Sequence, residues 1–174
     1  MGKAPRSVRR TVLIMCEGKR DLAFLSHLRQ LYCSGNTCSP KVDVKQARGK
    51  GGNNVVDTLL GTLRVKAYDV GVAFIETDVP PDTQRRDALR RKKSGILVPA
   101  DPCLEAMLLR IANQPIPQTV QACKQAIELY AGNDLYQASD YAPIWSLALI
   151  QSARPNYPEL ETLINCFSSF ATLD

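Results

Sequence analysis

The chain has 174 residues, of which 45% are apolar, enough for one sizeable core and too many for a globally disordered protein. Its formal net charge of +5 permits an anionic partner such as nucleic acid without requiring one. No apolar run reaches membrane-spanning length, so no membrane-spanning helix is expected in the chain.

Residues 1–10 carry Lys3, Arg6, Arg9 and Arg10 and read as a basic arm. Residues 11–16 are apolar or β-branched without alternation, the pattern of a strand covered on both faces. Gly18 breaks it. From Asp21 a helix is predicted, with Phe24, Leu28, Leu31 and Tyr32 on one face. Residues 34–40 are turn-rich, and the alternating Val42 and Val44 predict a short second strand nearer the sheet edge. Arg48-Gly49-Lys50-Gly51-Gly52-Asn53-Asn54 is a cationic, glycine-rich loop. The helix after it turns Val55, Val56, Leu59, Leu60 and Leu63 inward, with Asn53 or Asn54 as its cap.

A third strand is predicted over 70–75, stopped by Pro80 and Pro81, and an arginine-rich surface helix starts at Asp82. A fourth strand covers 95–98. Asp101-Pro102 then predicts a helix start, aspartate at the cap and proline in the first turn. After Asn113 the segment Gln114-Pro115-Ile116-Pro117 is a break, and helices around 119–131, 141–152 and 158–170 follow without further strand signal. This order predicts an α/β core over 11–113, a Rossmann-like and mostly parallel four-stranded sheet flanked by helices, with a C-terminal helical extension over 114–174 packed on it.

Six cysteines are scattered over strand ends and helices, and only Cys33 and Cys38 lie close together. The basic opening and short first apolar run do not match a secretory leader. Reduced thiols and a cytoplasmic location are therefore expected. His27, the single histidine, forms with Cys33 and Cys38 at most a partial zinc set, so a helix-face histidine is the better reading. A Ser-His-Asp triad is disfavoured because no Gly-x-Ser-x-Gly elbow accompanies it. The glycine-rich loop lacks P-loop spacing, which disfavours nucleotide hydrolysis by that route.

Acidic residues follow three of the predicted strands: Glu17 after the first, Glu76 and Asp78 after the third, Asp101 and Glu105 after the fourth. If the strands are parallel, Glu17, Glu76, Asp78 and Glu105 converge at one sheet edge. Such a cluster raises the pKa of its members and calls for a neutralising cation. Oxygen ligands without histidine favour Mg²⁺ or Mn²⁺ over zinc. Asp101, beside Pro102, reads as a helix cap and ranks below Glu105. Arg85, Arg86, Arg90, Arg91, Lys92 and Lys93 could form a cationic ridge beside this crevice, and Arg48 and Lys50 could approach a phosphate with help from backbone amides. Trp145, Tyr130, Tyr136, Tyr141 and Tyr157 could stack bases, although core or interface packing is the commoner use of such residues.

Three motifs carry a family resemblance. Thr11-Val12-Leu13-Ile14-Met15-Cys16-Glu17-Gly18, followed by Lys19-Arg20-Asp21, resembles the opening of the Toprim fold. Glu76-Thr77-Asp78 resembles the Toprim Asp-x-Asp motif, and Asp101-Pro102-Cys103-Leu104-Glu105 resembles a signature of RloB-like Toprim proteins, relatives of the OLD-family nucleases. The resemblance covers residues 11 to about 112. It implies metal-dependent phosphodiester cleavage with Glu17, Glu76 and Asp78 as catalytic residues. It implies Glu17, Asp21, Glu76, Asp78 and Glu105 as ligands to Mg²⁺ or Mn²⁺. Lys19, Arg48, Lys50, Arg85, Arg86 and Arg90 would contact nucleic acid. It further implies defence against foreign nucleic acid, a partner protein that supplies specificity, and compatibility with a homo-oligomer. The departure is Glu76, where the family pattern has aspartate. The extra methylene displaces the carboxylate, so weak cleavage, a Mn²⁺ preference, or a non-catalytic Toprim-like binding module are the alternatives.

Overall fold

The computed structural model describes residues 9–34, 40–92, 94–132 and 134–168. Four strands, β1 (Thr11–Cys16), β2 (Lys41–Gln46), β3 (Val70–Glu76) and β4 (Gly95–Ala100), form one all-parallel sheet in the order β2-β1-β3-β4. Between them run α1 (Lys19–Cys33), α2 (Gly52–Val65) and α3 (Thr83–Arg90). After β4 come only helices: α4 (Leu104–Ile111), α5 (Val120–Ala131), α6 (Ala138–Tyr141), α7 (Leu147–Ala153), a single 3₁₀ turn and α8 (Pro158–Phe167).

The runs without alternation predicted strands buried on both faces, and β1 is buried from Val12 to Cys16. Leu13 and Met15 pack with Ala73 and Ile75 under α2 and α3. Val12, Ile14 and Cys16 pack with Val72 and Phe74 against α1, α4 and the C-terminal helices. The chain leaves β1 toward β2 over one face and returns from β2 to β3 over the other. The β1–β3 border is therefore the topological switch point, where an open α/β sheet forms its crevice at the carboxyl ends of the strands.

The helical extension belongs to the same core. Trp145 and Tyr141 are fully buried, with Tyr141 packed against Phe24 of α1 and Trp145 against Tyr141. Trp145 Nε1 donates to the Leu108 carbonyl at 3.0 Å. The helix expected over 141–152 is broken into α6 and α7 around Pro143, where the chain turns so that Trp145 faces inward.

Two predicted caps differ. The N-cap of α2 is Gly51, with φ of 82°, rather than Asn53 or Asn54. Asn53 instead accepts from the Asp82 amide at 2.8 Å. Gly52 is needed for contact, because a Cβ there would lie 2.6 Å from the Pro81 ring. The N-cap of α4 is Cys103, not Asp101. Asp101 accepts from the Thr77 hydroxyl, and the Pro102 carbonyl accepts from the amides of Thr77 and Asp78 at 3.1 and 3.2 Å. The segment after β4 thus clasps the segment after β3 before the helix begins.

Candidate functional site

At the carboxyl ends of β1 and β3 lies a cleft of about 400 Å³ lined by Glu17, Gly18, Lys19, Arg20, Asp21, Glu76, Glu105, Lys124 and Tyr136. Each carboxylate comes from a different turn of structure. Glu17 directly follows β1 and is half-buried. Asp21 sits in the first turn of α1, where its Oδ2 accepts from the Gly18 amide at 2.8 Å. Glu76 is the last residue of β3, and its Oε1 accepts from the Leu104 amide at 3.0 Å. That bond lies at the amino end of α4, where backbone amides have no helical partner. Glu105 lies one residue into α4 and is 3% exposed.

Burial and mutual repulsion act on these groups together. Burial pushes the Asp21 carboxyl up to about 6 against the Gly18 amide, with the charges of Glu105 and Glu17 adding to the rise. Burial likewise pushes Glu76 up to about 7 against the Leu104 amide, and Asp21, Glu105 and Asp78 add to it. Both groups are therefore poised near neutral pH, a property more common at functional sites than on structural carboxylates.

Arg20 is the one cation in direct contact with this acidic floor among the described residues. Its Nη1 donates to Glu105 Oε1 at 3.1 Å and its Nη2 to Glu128 Oε1 of α5 at 3.2 Å. Its guanidinium also lies 5.4 Å from the centre of the Tyr136 ring. The second oxygen of Glu105, Oε2, is buried and finds no hydrogen-bond donor. An unpartnered carboxylate oxygen at the bottom of a cleft is costly unless something positive meets it.

Adjoining the acidic cleft across Glu17 and Gly18 is a wider one of about 600 Å³, walled by Gln46, Ala47, Arg48, Gly49 and Lys50. Gly49, at φ of 109°, and Gly51 bend this loop back toward α2. Arg48 and Lys50 are exposed.

The structure thus unites Glu17, Asp21, Glu76 and Glu105 in one cleft and sets Lys19, Arg48 and Lys50 around it. Asp78 is not brought to the wall: it is exposed on the following turn, near enough to raise Glu76. Among the described residues no three acidic, cysteine or histidine side chains are drawn together as a closed ligand set. The reason is visible in the bonds, since Asp21, Glu76 and Glu105 each direct an oxygen at an amide or at Arg20.

The arginine ridge does not line either cleft. α3 packs against α2 on the opposite face of the sheet from α1, held by Leu89. Arg85 pairs with Asp57 at 2.8 Å and with Asp82, and Arg86 donates to Thr83 at 3.2 Å. Arg90 is exposed. Lys93 lies outside the described residues, as does Cys38. His27 Nε2 donates to the Trp145 carbonyl at 2.8 Å, so that nitrogen serves packing. Sequence reasoning did not assign Arg20 or Lys124 to the site, and it named Tyr136 only among five aromatics that could stack bases, without placing it at the cleft. Arg20 carried a signal, standing between Glu17 and Asp21 in the first turn of α1; Lys124 and Tyr136 arrive by long-range packing alone.

Fold and cleft together define a parallel α/β protein with an acidic crevice at its switch point. No protein-family model matches the chain, and no curated protein or solved structure is significantly similar to it. Among the described residues no helix is long and apolar enough to cross a membrane.

Proposed function

We propose that this chain is a divalent-metal-dependent nuclease of the Toprim type. Carboxylates from β1, α1, β3 and α4 meeting in one cleft, with a buried Glu105 oxygen lacking any donor, is the observation that carries the reading. The donor set is all oxygen and suits Mg²⁺ or Mn²⁺, so Glu17, Asp21, Glu76 and Glu105 are the residues that would hold the ion, with Asp78 beside them. When bound, such an ion polarises a phosphoryl oxygen and lowers the pKa of water. Glu17 stands between the acidic cleft and the loop cleft, which makes it the proton-transferring group of this reading. Arg48 and Lys50 would take backbone phosphates of DNA or RNA, aided by loop amides. The same resemblance supports a role in defence against foreign nucleic acid alongside a partner protein that supplies specificity.

Two observations favour a second reading, a Toprim-like module that binds nucleic acid or a partner protein without cutting. Glu105 is already paired with Arg20, and glutamate occupies position 76. Plasmid nicking with Mg²⁺ or Mn²⁺ separates the two. Nicking by the wild type that is lost in Glu17→Ala and reduced in Asp78→Asn supports the nuclease. No nicking by either the wild type or Glu76→Asp, with binding retained, supports the module.

A further inference from the structure

Tyr136 is 54% exposed at the cleft wall, in a segment without regular secondary structure. Its backbone is nonetheless fixed. Leu135 beside it is buried, and the amides of Tyr136 and Gln137 both donate to the Asp140 carboxylate, at 3.1 and 2.8 Å. The Tyr141 hydroxyl donates to the Leu135 carbonyl at 3.1 Å. Core packing of the extension is supplied by Tyr141 and Trp145, both fully buried. The Tyr136 ring is therefore displayed, with the Arg20 guanidinium over one face and more than half of the residue open to solvent. On the same cleft stand the exposed Lys19 and the half-buried Lys124.

A rigid, exposed aromatic ring flanked by cations is the arrangement that receives an unpaired base and its phosphates. In a duplex the base faces are covered by their neighbours, so the matching ligand is a single strand. We infer that Tyr136 is a base-stacking platform for single-stranded nucleic acid, with Lys19 and Lys124 contacting the flanking phosphates. This deepens the nuclease reading and rests on it for the acidic floor. Four carboxylates stand beside three cations in the cleft, so a bound divalent ion favours entry of a polyanion.

The test is fluorescence anisotropy of short labelled single-stranded DNA, single-stranded RNA and duplex DNA in Ca²⁺, which takes the same oxygen ligands. The wild type binds a single strand more tightly than the duplex. Tyr136→Ala weakens that binding about 5- to 150-fold, the range of one base–aromatic stack, while Tyr136→Trp retains it. An abasic position in the strand weakens the wild type and leaves Tyr136→Ala little changed. Equal affinity of wild type and Tyr136→Ala, or preference for duplex, overturns the inference even if the wild type nicks plasmid. Binding that depends on Tyr136 without nicking in any metal upholds it and removes the nuclease reading instead. No binding to any of the three overturns both.

Discussion

Replacing Glu76 by glutamine is expected to stabilise the ion-free protein while ending the cleavage proposed for it. Burial, reinforced by Asp21, Glu105 and Asp78, raises this carboxyl from an ordinary 4.5 to about 7. Between those values the folded protein holds a proton that the unfolded chain has lost. A carboxyl raised in this way contributes stability that is complete below the unfolded value and disappears as pH rises through the folded value. At about 1.4 kcal/mol for each tenfold change in proton affinity, the rise from 4.5 to about 7 corresponds to roughly 3 kcal/mol lost on going from acid to mildly alkaline solution.

Glutamine keeps the carbonyl oxygen that accepts from the Leu104 amide, removes the charge, and puts an NH2 donor in place of the second oxygen. Glu76 retains some solvent contact, which screens part of the penalty, so a gain of about 1.5–3 kcal/mol is expected at about pH 8. For a chain of this length that is a rise in Tm of roughly 3–12 °C. The assay is thermal unfolding with a chelator present, at about pH 5 and about pH 8, wild type beside Glu76→Gln. The variant gains at the higher pH and not at the lower, and Mn²⁺ raises the Tm of the wild type at the higher pH but not that of the variant. An offset between the two proteins that is the same at both pH values would refute the electrostatic reasoning.

Arg20→Met leaves Glu105 buried without its cation. Breaking a buried pair costs about 3–5 kcal/mol, and partial exposure of the Arg20 side chain, 19%, lowers this to about 2–3 kcal/mol, read from urea unfolding. Added Mn²⁺ recovers part of the loss, and an unchanged urea midpoint would show that Arg20 does not neutralise the floor. Joint replacement of Arg48 and Lys50 by alanine weakens nucleic-acid binding at all sequences and lowers the salt slope by about 2, one for each phosphate contact removed. An unaltered slope places the phosphates elsewhere. Trp145→Ala removes a fully buried side chain and its bond to Leu108, costing about 3–5 kcal/mol by calorimetry. A loss below about 1 kcal/mol would mean that the extension packs loosely.

The sheet was legible because strands in a parallel sheet carry apolar or β-branched runs without alternation: 11–16 and 70–75 are buried almost throughout, 95–98 is a partly buried edge strand, and each run is a strand at nearly those bounds. Parallel pairing then brings acids that follow separate strands to one edge, which is why Glu17, Glu76 and Glu105 could be grouped from spacing, whereas Asp78, grouped with them, sits exposed on the next turn. Caps were less legible because several residues nearby can serve. Asn53 and Asp101 have cap chemistry, but tertiary partners at Asp82 and Thr77 hold their side chains. The arginines of α3 declared their charge and not their position, since the sequence does not say which cleft a crossover helix borders. Arg20, despite its place between Glu17 and Asp21, and Tyr136, one of five candidate aromatics, could not be placed at the cleft for a different reason. Arg20 meets Glu105 of α4 and Glu128 of α5 in the extension, 85 and 108 residues further along, and only the folded chain brings them together.

That last contact changes what the extension is for. The Tyr141 hydroxyl lies 3.1 Å from the carbonyls of both Arg20 and Leu135, tying the first turn of α1 to the segment that displays Tyr136. Glu128 of α5 takes the second guanidinium nitrogen of Arg20, which leaves the first aimed at Glu105. The extension therefore sets where the positive charge sits above the acidic floor. Core residues from β1, α1, α4, α7 and α8 form one continuous cluster, so floor and wall fold as a unit. Shifting α5 by a fraction of a helical turn would release Arg20 from Glu128 and alter the charge felt by Glu105 and Glu76 at once. The electrostatics of the acidic floor are thus coupled to the packing of helices that contribute no carboxylate to it.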